Sequence, residues 1–161
     1  MTAYIIEMIS HNKYNIEIEI NKQLSFRKFR NFDATLFFAI QKALELTKHS
    51  IDVAYNISLL LCDDEYISQL NAQYRQKNYA TNVLSFEDGE VMDDVKFLGD
   101  IAISIPTITQ EAAEQGKTFR THFIHMFVHG ALHLLGFDHQ TPQEVQIMEA
   151  MEDEILLHIS Q

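Results

Sequence analysis

One cysteine, two prolines, five glycines and no tryptophan stand among the 161 residues of this chain. The single thiol, Cys62, rules out an intrachain disulfide and any cysteine-based zinc cluster, and it fits a reducing compartment. So little Gly and Pro excludes a collagen-like, linker-rich or low-complexity chain. No apolar run approaches the roughly 18 residues that a spanning helix needs. The start, MTAYIIEMIS, has no basic region and carries Glu7, so it does not read as a secretory signal, and a cytoplasmic protein is expected. Positive charge is scarce as well. Lys and Arg number 12 against 23 Asp and Glu, a net charge of −11. That balance argues against non-specific, charge-driven binding to nucleic acid and leaves room only for a local basic site.

What is present fits one folded domain over residues 1–161. The chain is 47% hydrophobic and 22% charged, and it is long enough to bury a full core without staples. Ile16, Ile18 and Ile20 alternate with polar partners, which predicts a half-buried strand over Tyr14–Ile20. Lys22, Arg27, Lys28 and Arg30 form a short basic stretch, read as a solvated loop or an RNA-backbone contact. Asp33 can cap a helix running to Thr47, with Leu36, Phe37, Ile40, Ala43 and Leu44 on its apolar stripe. A strand is expected over Tyr55–Leu61. Asp63 or Asp64 then caps a short helix with Ile67, Leu70 and Tyr74 facing inward. Val83–Phe86 and Ile101–Ile105 read as two more strands, joined by an acidic loop holding Glu87, Asp88, Glu90, Asp93 and Asp94. Pro106 opens a helix ending near Gly116, and Thr118–Leu135 forms a long one closed by Gly136. Thr141, Pro142 and Glu144 make a capping box for the last helix. Strands and helices interleave, so the class is mixed α/β or α+β, with four strands and about five helices.

Histidine carries the chemistry. Five of the eight lie between His122 and His139. His129 and His133 are four apart on the long central helix, so they share one face. Gly136 lets the chain turn back, and His139 can then supply a third imidazole. Three imidazoles suit one Zn²⁺ and leave a fourth position open, the mark of a catalytic rather than a structural site, where bound water titrates near neutrality. His122 and His125 extend the same face and are read as packing or hydrogen bonding around the ligands. His11, His49 and His158 read as ordinary surface residues. The spacing is also that of metzincin proteases, whose general base is a Glu directly after the first His. Here that position is Gly130. Arg75, at the end of the helix before Lys77, is either a dipole partner or a phosphate ligand.

The segment H-G-A-L-H-L-L-G-F-D-H, preceded by H-F-I-H-M-F-V, resembles the signature of the YbeY family of metal-dependent endoribonucleases. L-N-A-Q-Y-R-Q-K, T-N-V-L-S-F, L-G-D-I-A-I-S and the final M-E-A-M-E-D-E resemble the family's other blocks in the same order. The likeness covers about Leu59 to the C-terminus. It implies a small mixed sheet packed by helices, one zinc per chain on His129, His133 and His139, and a functional arginine at Arg75. It further implies a single-strand-specific endoribonuclease acting in maturation of the 3′ end of small-subunit ribosomal RNA and in ribosome quality control. The implied partners are single-stranded RNA, the small ribosomal subunit and a ribosomal protein, with neither DNA nor membrane. The chain departs from the family pattern where Asn82 replaces Asp and Glu87 replaces Pro. Asn82 can still hydrogen-bond without carrying charge, and Glu87 adds to an acidic rim. No general base stands out, although a water held by Ser85 would serve. Two other readings are a metal-dependent hydrolase of peptide or amide bonds, and a non-catalytic assembly factor stabilised by zinc.

Overall fold

The computed structural model describes residues 4–21, 31–50 and 52–160. The basic stretch from Lys22 to Arg30 lies outside the described residues. The elements follow in the order β1 (Tyr4–His11), β2 (Tyr14–Asn21), α1 (Asp33–Leu46), β3 (Ala54–Cys62), α2 (Asp64–Arg75), β4 (Val83–Glu87), β5 (Val91–Met92), β6 (Val95–Ser104), α3 (Ile105–Glu114), α4 (Phe119–Leu134) and α5 (Pro142–Ile159).

The sheet runs β1-β2-β3-β6-β4, with β5 paired to β6 beside β4. β2, β3 and β6 are parallel, whereas β1, β4 and β5 pair antiparallel to their neighbours. Among the described residues the class is the expected mixed one with five helices, but the sheet has six strands rather than four. The two extra strands have physical reasons. In β1 the apolar residues fall on both faces, Ile9 buried and Ile6 and Met8 exposed, so no alternation marks it. The expected acidic loop folds into a hairpin: Asp93 and Asp94 take positive φ, 52° and 62°, which sets Val91 opposite Lys96 and Met92 opposite Val95. β6 also begins earlier than its apolar run, because Gly99 and Asp100 interrupt the pattern without ending the ladder.

Caps decide the helix starts. The side chains of Asp63, Ser104, Thr118 and Thr141 each accept from a backbone N–H of the first turn. Thr141 and Glu144 form the full reciprocal box. Asp33, expected as a cap, is instead the first helical residue; Phe32 is the N-cap residue and offers no side-chain cap, and Asp33 acts through its charge at the positive helix end.

The two faces of the sheet bury different partners. Ile57, Leu59, Leu61, Ile101 and Ile103 point into the main core with α1, α4 and α5. Cys62, Leu84 and Ala102 point the other way, against Ile67 of α2. α4 is the central helix, buried at Phe123, Phe127 and Leu132 and packed on β4 and β6. No helix among the described residues is long and apolar enough to cross a membrane.

Candidate metal centre and its cleft

α4 reaches the sheet at Gly130. A Cβ there would lie 2.9 Å from Ile101 Cγ2 and 3.1 Å from Ser85 Oγ. The absent side chain thus lets the helix settle on β4 and β6. His129 and His133 flank that contact, both half-buried, and line a cleft together with residues of β4. Gly136, at φ +95°, ends the helix in a conformation that an L side chain resists, and the returning chain brings in His139. One ligand atom from each of His129, His133 and His139 lies within 4.8 Å of the others. The three rings predicted from spacing are therefore gathered at one point.

Their hydrogen bonds fix which nitrogens face inward. His133 Nδ1 lies 2.8 Å from the Phe137 carbonyl oxygen, which can only accept, so Nδ1 carries the proton. His129 Nδ1 lies 2.5 Å from Glu152 Oε1 and donates to that carboxylate. The two Nε2 atoms face each other at 3.1 Å, and in the neutral form of each ring Nε2 is the nitrogen that carries the lone pair. Two lone pairs at that distance repel, so the contact needs a proton or a metal ion between the nitrogens. Tetrahedral zinc, with bonds of about 2.0–2.1 Å, sets its nitrogens roughly 3.3 Å apart. The residues fit a metal ion. Burial and the neighbouring His129 and His139 push the His133 pKa below its ordinary value, against the Phe137 bond and Asp138, which favours the neutral ligand form.

Glu152 was not legible in the sequence. It sits on α5, 6% exposed, and accepts from both His129 Nδ1 and His125 Nε2, the latter at 2.8 Å. Burial alone would raise its pKa; the two imidazoles outweigh it and hold the carboxyl at about 2. Its only signal was the i, i+4 offset from Met148, which puts it on the buried stripe of α5. His125 accordingly lies two hydrogen bonds behind the candidate ligand His129, joined to it through Glu152. His122 is turned elsewhere, with Nε2 2.6 Å from Glu111 Oε2. Glu111 also receives Asn82 Nδ2, while Asn82 Oδ1 accepts from Val83 N. Asn82 is thus a structural clasp at the start of β4.

The three histidines open onto a cleft of about 870 Å³ that straddles the free edge of β4. Arg75 lines it from the opposite side of the sheet. Its Nη2 donates to the Ser85 carbonyl at 2.9 Å, and its guanidinium lies 5.6 Å from the Phe86 ring centre. That one bond pins the arginine and leaves its other donors for a ligand. Tyr74, expected to face inward, is instead 57% exposed; the inward position is taken by Asn71, 2% exposed. Glu87 lines the cleft, so the acidic rim does adjoin it. The Ser85 hydroxyl is buried against Gly130 without a partner.

Residues 17–160 match the family model described as Endoribonuclease YbeY. An Endoribonuclease YbeY of Bartonella quintana is 43% identical over 136 residues, covering 81% of this chain and 86% of the relative. Another, from Acinetobacter baylyi, is 46% identical over 125 residues, covering 73% of this chain and 79% of its own length. A Thermotoga maritima protein solved in solution superposes with a TM-score of 0.51 at 22% identity, covering 89% of this chain and 90% of that one.

Proposed function

This chain belongs to the YbeY family of endoribonucleases, and from that premise we propose that it cleaves single-stranded RNA with the help of one zinc ion held by His129, His133 and His139. Its proposed task is maturation of the 3′ end of small-subunit ribosomal RNA and ribosome quality control, as one domain acting in the cytoplasm on the small subunit. The observation that carries the metal assignment is the convergence of His129, His133 and His139, whose ligand atoms all lie within 4.8 Å of one another.

When bound, the ion supplies Lewis-acid charge that polarises a phosphoryl oxygen and acidifies water. The chain's own groups do the rest. Glu152 and the Phe137 carbonyl lock the two helical imidazoles in the tautomer that aims Nε2 inward. Arg75, held by Ser85, offers its remaining donors to a phosphate and to the charge that develops on it. Both groups line one cleft, so a phosphodiester lying over the β4 edge meets the histidines on one side and the guanidinium on the other.

The peptide-hydrolase reading loses support at Gly130, where Ile101 and Ser85 occupy the space of the Glu that such enzymes use. The assembly-factor reading predicts that a His139→Ala variant still supports ribosome maturation in cells. The direct test is Arg75→Glu. Cleavage of a single-stranded RNA is expected to vanish while elemental analysis still finds about one zinc per chain. Full activity in that variant removes Arg75 from the mechanism.

A further inference from the structure

A molecule of net charge −11 has little general attraction for RNA. Glu87 on the cleft wall makes that worse locally. The cleft's cations, Arg75 and Lys77, account for only a few phosphates. Affinity therefore needs a source other than charge, and the cleft contains one. Among the described residues three aromatic side chains are exposed: Phe38, Tyr74 and Tyr79, at 41%, 57% and 58%. Two of the three, Tyr74 and Tyr79, line the cleft. Exposed rings of this size cost solvation and serve no core, and unpaired bases are the ligands that stack on such rings.

Their presentation is built, not incidental. Tyr74 rests against Phe86 with ring centres 5.1 Å apart at 58°, and the Arg75 guanidinium lies 5.6 Å from the centre of the same Phe86 ring. Tyr79 is held through its backbone. Buried Asn71 donates from Nδ2 to the Tyr79 carbonyl at 2.9 Å, and its backbone carbonyl accepts from Lys77 N. Gln76, in the left-handed region at φ 58°, makes the turn between them. One buried amide thus fixes the loop that follows α2 and leaves the Tyr79 ring outward. Rings held this way lose little freedom on stacking.

We propose that Tyr74 and Tyr79 are base-stacking platforms of the RNA cleft, binding unpaired nucleotides beside the phosphate held at Arg75. The inference rests on the endoribonuclease reading and explains a preference for single strands: bases in a duplex stack on each other and are not free to stack on tyrosine.

The test uses zinc-loaded full-length protein and two matched short RNAs, one cleavable and one carrying 2-aminopurine with methylene groups in place of its bridging 5′ oxygens, so that neither water nor a 2′-hydroxyl can cleave it. Tyr74→Ala and Tyr79→Ala are each expected to weaken binding of the second RNA about tenfold, with loss of 2-aminopurine quenching, and to raise KM with kcat nearly unchanged. Tyr74→Phe and Tyr79→Phe, which keep the ring, are expected to stay within about twofold of the unaltered protein. Replacing the contacted base with an abasic unit should cost the unaltered protein the same factor and the Ala variants nothing further. If the unaltered protein cleaves the first RNA and both Ala variants bind and quench as it does, the platforms are refuted. If the unaltered protein cleaves no RNA, the endoribonuclease reading falls instead.

Discussion

At the scale of single residues, the most informative side chain is the one that spacing did not reveal. The three histidines were readable because the helix repeat and a glycine turn constrain where they go. Glu152 was not, because it stands in the run M-E-D-E among acids that face water, and only the packing of α5 on α4 decides which one is buried. Its role predicts a specific loss. Glu152→Gln removes the charge that fixes the His129 tautomer, and zinc affinity measured by chelator competition is expected to fall about 10- to 100-fold. The same variant alters acid stability. The native carboxyl titrates at about 2, below the ordinary 4.5. Its contribution is therefore complete above about pH 4.5 and is lost as pH falls toward 2. Glu152→Gln should flatten that part of the stability profile in urea titrations, and an unchanged profile would show that the charge does not stabilise the fold.

At the scale of elements, the helices were legible and the strands only partly so. Helix ends follow from local chemistry, such as the Thr141 and Glu144 box, that needs no knowledge of the rest of the chain. Strands β1 and β5 depend on partners distant in sequence or on turn geometry, and their own residues do not alternate cleanly. The contact of α4 with the sheet is a further case. Gly130 looked only like a missing general base, yet its absent Cβ sets how closely the helix approaches Ile101 and Ser85. Gly130→Ala gains about 1 kcal/mol of helix propensity. It also forces a methyl to 2.9 Å from Ile101 Cγ2, on a fully buried side chain that is branched at Cβ and cannot swing away. Overpacking of this kind costs about 1–3 kcal/mol. The expected sum is a net destabilisation of about 1 kcal/mol, seen by chemical denaturation, with reduced zinc affinity because His129 adjoins the displaced turn. A more stable variant would mean that the close approach at Gly130 is not a constraint.

At the scale of the whole molecule, the candidate centre ties together parts that the sheet alone does not join. His129 and His133 belong to α4, His139 to the turn that follows, and Glu152 to α5, while Arg75 arrives from α2 on the far face of β4. An ion bound only by the folded chain stabilises it by RT ln(1 + [L]/Kd), about 4 kcal/mol at a thousandfold excess over Kd. For a chain of this length each kcal/mol moves the melting temperature by roughly 2–4 °C, so chelation should lower it by roughly ten degrees. Calorimetry of the zinc-loaded protein, then with chelator, then with zinc restored, measures this directly. The pH dependence follows from His133. Its pKa is lowered by burial and by its histidine neighbours, so the folded ring stays neutral where the unfolded one has taken a proton. Stability of the metal-free form is therefore present above the ordinary His value of 6.5 and declines as pH falls below it. Protons compete with the ion for this ring only at pH values lower than they would for a free imidazole. The gap between loaded and stripped protein should shrink as pH falls below 6.5, as the His133 ring takes a proton and gives up the ion. Equal melting temperatures with and without chelator would show that these residues hold no ion in the folded chain.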